Sequence, residues 1–200
     1  QQEAYDMMEE AFQLSEEQHL PVLVRVTTRM AHSRAVVKVK ETPRQQNELN
    51  YNAQASNWVL LPAFARKRND IVTAQQAELE TIAEKSSHNK YEDAADHSMG
   101  IIATGIAYNY LMECFPDGCP FPVLKISHYP LPKALVRRMT EACESVLIVE
   151  EGQPFVEEMV CGVMPGNTVI KGRLTGELPR TGELNPDLIH KALGIESDER

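Results

Sequence analysis

A short polar segment at residues 27–34 carries the side chains best suited to chemistry in this 200-residue chain. It combines two arginines, one histidine and three hydroxyl groups, at Thr27, Thr28, Arg29, His32, Ser33 and Arg34. The segment follows an apolar run at 22–26 that predicts a strand. Guanidinium groups in a loop at the carboxyl end of a strand suit an anion such as a carboxylate or a phosphate. The alternative is a loop that hydrogen-bonds to itself and to a neighbouring subunit.

Two adjacent glutamates, Glu150 and Glu151, end another apolar run. Adjacent residues of a strand point to opposite faces, so these carboxylates do not form a paired acid–base site. One of them is predicted to cap a helix or to lie at an interface, and a catalytic acid is the alternative. The next acidic pair, Glu157 and Glu158, is predicted to lie on a solvated helix face.

Gly100 and Gly105 have the glycine spacing of a phosphate-binding loop. Ile106 and Ala107 follow where such a loop needs a lysine and a hydroxyl, so the cation and the magnesium ligand are missing. Gly105 is therefore predicted to let a strand and a helix pack closely, with nucleotide binding as the alternative.

Cysteine and histidine spacing predicts no metal site. The four cysteines, at 114, 119, 143 and 161, form no C-x-x-C pair, which argues against a zinc ribbon or a thioredoxin-like site. We expect free thiols. None of the six histidines is spaced from another in a way that would bind zinc with a carboxylate.

The elements that position these residues follow from apolar periodicity. In the first half of the chain the pattern predicts a helix at 2–18, a short edge strand at 35–40 and a long helix at 62–86. Polar stretches at 41–57 and 87–97 are predicted as connections.

The second half alternates short apolar runs with helical patterns of about ten residues, which is typical of a mainly parallel α/β sheet. Strands are predicted at 99–104, 123–127, 146–150 and 168–172. Helices are predicted at 106–115, 135–145, 154–161 and 186–193.

Composition narrows the possible functions. The chain is 42% hydrophobic and has a net charge of −9, with no basic block that would neutralise a nucleic-acid backbone. No apolar run approaches the roughly 18 residues that span a bilayer, and no signal peptide is visible. We therefore expect a cytoplasmic protein that binds neither nucleic acid nor membrane.

Six blocks, in order along most of the chain, resemble the 2-oxoacid:ferredoxin oxidoreductases, and among them the α subunits of the indolepyruvate type. They are LSEEQHLPVLVRVTTRMAHSR (14–34), LPAFARKR (61–68), MGIIATGIAYNYLME (99–113), LKISHYPLP (124–132), VLIVEEGQPFVEE (146–158) and IKGRLTGELPRTGEL (170–184).

The resemblance implies three regions. Residues 1–40 would end a domain that binds the pyrimidine ring of thiamine diphosphate, residues 41–95 would be a linker, and residues 96–196 would be a domain similar to the C-terminal domain of transketolase. Enzymes of this family decarboxylate a 2-oxoacid on thiamine diphosphate and Mg²⁺, form an acyl-CoA, and pass electrons through [4Fe-4S] clusters to ferredoxin. The implied partners are the other domains of the α subunit, a β subunit, ferredoxin, CoA and the 2-oxoacid, in an oligomer.

The chain departs from the family pattern in what it does not contain. The glutamate that activates the aminopyrimidine, the diphosphate and magnesium site, and the cysteine-rich cluster domain would all lie outside it. We therefore expect an internal fragment that binds no cofactor alone and has no turnover, because thiamine chemistry needs the cofactor held at both ends.

No catalytic residue and no metal ligand is assigned. Matching the family's TTR-x-x-HSR block, the candidates for the neighbourhood of substrate or cofactor are Thr28, Arg29, His32, Ser33 and Arg34. The competing hypothesis is a non-catalytic dimerisation or regulatory α/β module.

Overall fold

The computed structural model describes residues 1–41, 54–163, 168–180 and 182–195. The chain divides into two units, Gln1–Trp58 and Val59–Arg200. Most of the predicted connection at 41–57 lies outside the described residues.

The first unit contains helix α1 (Gln2–Gln18), helix α2 (Thr28–His32) and one 3₁₀ turn (Ala55–Asn57). The predicted helix at 2–18 is confirmed. It ends at His19, which adopts the left-handed conformation with φ of 53°. Acidic residues occupy much of the surface of α1, and no residue of this helix is buried.

Two predicted strands of the first unit are absent. Residues 22–26 and 35–40 contain no turn or bend, but neither segment pairs with a strand. A strand requires a neighbour to accept its amide hydrogens, and the described part of this unit provides none. The predicted loop at 27–34 is also wrong in part, since α2 forms inside it.

The second unit begins with the 24-residue helix α3 (Pro62–Lys85), which confirms the predicted long helix; Pro62 occupies its first turn. The remaining elements are β1 (Lys90–Glu92), β2 (Gly100–Thr104), α4 (Ile106–Cys114), β3 (Val123–Ile126), α5 (Lys133–Ala142), β4 (Ser145–Val149), α6 (Phe155–Val163), β5 (Val169–Lys171) and α7 (Pro186–Leu193).

The strands form one five-stranded sheet in the order β1-β3-β2-β4-β5. All neighbours run parallel except β1, which pairs with β3 in the antiparallel direction. The prediction of a mainly parallel α/β sheet is confirmed. Strand β1 lies in the stretch 87–97 that was predicted as a polar connection; its three residues show no apolar alternation, and its pairing with β3 defines it.

Alternation along the strands divides the core between the two sheet faces. One face packs against α4 and α7, and its buried strand residues are Ile101, Ala103, Val123, Leu147 and Val149. The other packs against α5 and α6, and its buried strand residues are Ile102, Leu124, Ile126, Val146 and Ile148. Among the described residues, no helix is long and apolar enough to cross a membrane.

The two glycines around β2 have roles that differ from the prediction. Gly100 is the position of close packing, because a Cβ there would clash with Met139 Sδ and would lie 2.9 Å from Cys143 Sγ. Gly105 has a φ of 55° and open space around it. Its glycine is needed for the backbone turn into α4 and not for packing.

Candidate functional site

The predicted site residues of the first unit lie on or directly after the short helix α2. Thr27 begins this helix, because its hydroxyl oxygen accepts the Met30 amide hydrogen at 3.3 Å. Ser33 ends it by donating its own amide hydrogen to the Met30 carbonyl at 3.2 Å. The Ser33 hydroxyl also accepts a hydrogen bond from the side-chain amide of Gln1.

All five candidates, Thr28, Arg29, His32, Ser33 and Arg34, are exposed. Residues four apart share a helix face, so Thr28 and His32 lie on the same face of α2. The structure places these side chains on or directly after one short helix, where all of them are exposed to solvent. Such a surface can bind an anion but does not by itself exclude water.

The second unit has a different candidate position, at the carboxyl ends of β2 and β4. These strands are adjacent, and the helices that follow them pack on opposite faces of the sheet. Ligands of open α/β sheets bind where consecutive connections diverge in this way. Gly105 and Gly152, with φ values of 55° and 88°, turn the chain at this edge.

Glu150 comes directly after β4, and its carboxylate is already occupied. Its two oxygens accept the amide hydrogens of Val156 at 2.9 Å and Glu157 at 3.0 Å, in the first turn of α6. A carboxylate at a helix N-terminus satisfies free amides and complements the helix dipole. The prediction that one of the two glutamates caps a helix is confirmed for Glu150.

Arg173, which follows β5, donates to three backbone carbonyls. Its Nε reaches the carbonyl of Glu150 at 2.8 Å, Nη1 reaches Pro179 at 2.7 Å and Nη2 reaches Gly182 at 3.4 Å. One guanidinium thus ties the end of β4 to the loop that follows β5.

Glu157 holds the start of the same loop. Its carboxylate accepts the amide hydrogens of Arg173 at 2.8 Å and Leu174 at 3.0 and 3.1 Å. Gly172 permits this approach, because a Cβ there would lie 2.6 Å from Glu157 Oε2. The predicted solvated position is wrong for Glu157, which is buried, and is confirmed for Glu158.

Glu150, Glu157 and Arg173, which we call the edge cluster, are 3%, 1% and 2% exposed. Burial raises the pKa of Glu150, and the hydrogen bonds from Val156 and Glu157 oppose this rise. Burial lowers the pKa of Arg173, and the negative charges of Glu150 and Glu151 oppose this fall. The opposite charges therefore stabilise one another in a poorly solvated position.

The edge cluster is structural in its chemistry. Its carboxylates accept hydrogen bonds from backbone amides, and its guanidinium donates hydrogen bonds to backbone carbonyls. None of the three groups is thereby left to act on a substrate in this arrangement.

Sequence reasoning overlooked Arg173 and Asn89. Asn89 is buried and joins the end of α3 to the end of β3: its Nδ2 donates to Ala83 O at 2.9 Å and His128 O at 2.7 Å, and its Oδ1 accepts from Ser127 N at 2.8 Å and His128 N at 2.9 Å. The only available signal for Arg173 was the glycine before it, and none marked Asn89.

Comparison with known proteins gives three informative relatives, each described as indolepyruvate oxidoreductase subunit IorA. The chain is 35% identical over 198 residues to that of Methanothermobacter thermautotrophicus, covering 96% of this chain and 32% of the relative. It is 33% identical over 209 residues to that of Methanothermobacter marburgensis, and the match covers 100% of this chain and 34% of the relative. It is also 33% identical over 201 residues to that of Archaeoglobus fulgidus, and the match covers 97% of this chain and 32% of the relative.

The chain is similar to IorA subunits over nearly its whole length. This confirms the resemblance that the sequence blocks gave. The chain spans about a third of the length of the curated relatives it matches. No protein-family model matches it.

Among solved structures, the chain is similar to a 2-oxoglutarate:ferredoxin oxidoreductase from Magnetococcus marinus that was solved with 2-oxoglutarate, coenzyme A and succinyl-CoA bound. The TM-score is 0.48 at 15% identity, and the match covers 68% of this chain and 24% of that one.

The described residues of this IorA homologue do not fit an iron–sulfur cluster or a bound magnesium ion. Within the described ranges, no three His, Cys, Asp or Glu side chains form a group that could hold a metal ion. All four cysteines are free, as predicted. Burial is the largest cause that raises the pKa of the Cys114 thiol to about 11, so this thiol is protonated at neutral pH and is not a nucleophile.

Proposed function

We propose that this chain is a segment of the α subunit of a 2-oxoacid:ferredoxin oxidoreductase that acts on indolepyruvate or related aryl pyruvates. The observation that carries the proposal is homology to IorA subunits at 33–35% identity over nearly the whole chain. The complete enzyme would convert the 2-oxoacid to an acyl-CoA and pass electrons to ferredoxin. Its proposed cofactors are thiamine diphosphate, Mg²⁺ and [4Fe-4S] clusters, and its proposed location is the cytoplasm.

Within that enzyme, the second unit would serve as a scaffold. Its buried charges, Glu150, Glu157 and Arg173, are used to close its own loops. Residues 96–196, together with β1, which pairs in their sheet, would then form a domain similar to the C-terminal domain of transketolase. The rest of residues 41–95 would link it to the preceding domain, and the cofactors would be held by other parts of the subunit and by a β subunit.

The first unit is the proposed approach to the active site. Residues 1–40 would complete the domain that binds the pyrimidine ring, and the surface of α2 would face the substrate or cofactor. Thr28, Arg29, His32, Ser33 and Arg34 are exposed in this chain, and their guanidinium, imidazole and hydroxyl groups are of the types that bind an anionic group.

The proposed activity is tested by viologen reduction. The whole subunit, purified with its partner subunit and loaded with clusters, is given thiamine diphosphate, Mg²⁺, CoA and a panel of 2-oxoacids. Reduction with indolepyruvate or phenylpyruvate is expected. Reduction with pyruvate or 2-ketoisovalerate alone would retain the reaction and overturn the substrate class. No reduction with any of them would favour the non-catalytic module.

The proposed role of α2 is tested in the same preparation with Arg29→Ala. Loss of a guanidinium that binds the oxoacid carboxylate or the cofactor should raise KM for the oxoacid or weaken retention of the cofactor. The matched control is Arg137→Ala, an exposed arginine of α5. Wild-type kinetics in Arg29→Ala would remove α2 from the active site.

A further inference from the structure

The first 41 residues have an unusual distribution of apolar side chains: none of them is buried. Leu23 is 91% exposed and Val36 is fully exposed. Even the apolar stripe of α1 remains accessible, with Phe12 and Met8 both exposed. Burial of apolar surface is the main force that holds a fold together, so this region needs another surface to cover it.

The apolar side chains concentrate in residues 21–26 and 35–40, the two segments that run without turn or bend. No backbone hydrogen bond is formed by residues 21–26 with any described part of the chain. Buried backbone amides and carbonyls must be paired, so a surface that covers these side chains must also supply hydrogen-bond partners. A β-sheet edge does both.

Residues 35–40 already have one side occupied. The Lys38 amide donates to Gln2 Oε1 at 2.7 Å, and the Lys38 carbonyl accepts from Gln2 Nε2 at 3.3 Å. The Lys40 amide donates to the Tyr5 hydroxyl at 3.3 Å. Both residues thus direct backbone groups toward α1.

In an extended chain, backbone groups of alternate residues point to the same side and those of adjacent residues to opposite sides. Val37 and Val39 therefore direct their amides and carbonyls away from α1, and within the described chain these groups have no partner. The backbone groups on one side of this segment are hydrogen-bonded to α1, and those on the other side are not hydrogen-bonded within the described chain. An edge strand likewise has a different environment on each of its two sides.

The sequence patterns of the two segments predict different positions in a sheet. Residues 22–26 are apolar at four of five positions, which is typical of a strand covered on both faces. Residues 37–40 alternate valine with lysine, and lysine is characteristic of edge strands.

The relatives indicate what covers these segments. The chain matches only 32–34% of the IorA subunits, so two thirds of such a subunit lie outside it. Strands within the same polypeptide would meet the open segments at a high effective concentration.

We propose that residues 21–26 and 35–40 join, as strands, a β-sheet formed by the part of the subunit outside these 200 residues, with Val37 and Val39 in the ladder and Lys38 and Lys40 facing α1. This rests on the proposed function only in that the chain is a segment of a longer subunit.

Hydrogen–deuterium exchange with mass spectrometry tests the pairing. The whole subunit, assembled with its partner, is compared with the 200-residue chain, using peptides that cover residues 20–27 and 34–41. Ladder amides are expected to exchange on the order of 100-fold more slowly or better in the whole subunit, since sheet amides open rarely. Equally fast exchange in both would overturn the proposal.

A second copy of this chain is the competing occupant. Protection already present in the 200-residue chain, together with a dimeric mass by light scattering, would assign the segments to self-association and overturn the proposal.

A pair of proline variants of the whole subunit tests the register. Val37→Pro removes an amide from the proposed ladder and should abolish protection in 34–41. Lys38→Pro removes an amide that faces α1 and should leave the protection in place, because proline is tolerated where an edge amide faces away from the sheet. Equal effects of the two changes would overturn the register.

The exchange result is independent of the activity result. Protection without 2-oxoacid-dependent reduction would leave the pairing intact and refute the proposed function. Reduction of viologen without protection of the amides in 20–27 and 34–41 would support the proposed function and refute the strand pairing.

Discussion

Residues 1–41 and residues 98–163 are both rich in valine, leucine and isoleucine, but they place these side chains in opposite environments. The second region buries them on the two faces of a sheet, whereas the first buries none. The second region also closes its own carboxyl edge with buried charges, while the polar groups of α2 remain exposed. The difference shows that the second unit buries a core of its own, whereas the described residues 1–41 leave their apolar side chains uncovered, as the proposed strand pairing requires.

The largest effect is expected at Arg173. Arg173→Met keeps the aliphatic stem but leaves three carbonyls without their donor and two buried carboxylates without the nearby positive charge. A buried carbonyl left without its donor costs about 1–3 kcal/mol, so the urea midpoint of the chain should fall by the equivalent of at least that amount. Arg180→Met, at an exposed arginine, is the control and should shift stability by less than about 0.5 kcal/mol. Similar losses of stability in the two variants would mean that the edge cluster contributes little to the free energy of unfolding.

The next comparison makes similar truncations in both regions. Ile148→Ala, at a fully buried position of β4, should cost about 2–5 kcal/mol. Val36→Ala, at a fully exposed position, should change stability by less than about 0.5 kcal/mol in the same urea titration. A large cost for Val36→Ala in the 200-residue chain would show that the first unit has a core of its own.

A smaller effect is expected from two glycine substitutions. Gly172→Ala places a methyl group against the Glu157 carboxylate and should destabilise by about 1–3 kcal/mol. Gly162→Ala, in helix α6 with open space around it, should stabilise by up to about 1 kcal/mol. Thermal unfolding of both variants measures the difference, and equal shifts would contradict the close approach of Glu157.

The smallest effect concerns pH. The folded-state pKa of Glu150 is raised, mainly by burial, so the folded chain binds this proton more tightly than the unfolded chain. Its contribution to stability therefore falls as the pH rises from the ordinary glutamate pKa through the raised value. Denaturation of wild type and Glu150→Gln across pH 4–8 should show the wild type losing stability relative to the variant as pH rises. A relative gain would reverse the sign of the Glu150 contribution.

Local sequence signals predicted much of the second unit. Helix α7 begins at Pro186 after the capping residue Asn185 and ends before Gly194, and these residues are visible in the sequence. Strand β4 is a run of apolar residues that is covered on both faces, and its pattern was sufficient.

The errors arose where tertiary partners decide the outcome. Nothing local distinguishes Glu157 from Glu158, yet only Glu157 meets the loop after β5. Residues 22–26 have the composition of a strand, but pairing requires a neighbour, and none is found in the described part of the chain. The sequence of the α2 segment shows that it is rich in anion-binding side chains. It does not show whether a neighbouring surface encloses them, because that also depends on tertiary partners.

The most direct test of the account compares 2-oxoacid turnover by the 200-residue chain and by the whole subunit with its partner, at equal concentrations and with the same cofactors. The measurement is indolepyruvate-dependent viologen reduction. The account predicts saturable reduction by the assembled enzyme and none by the chain alone. Turnover by the chain alone, or no turnover by the cluster-loaded assembly, would contradict it.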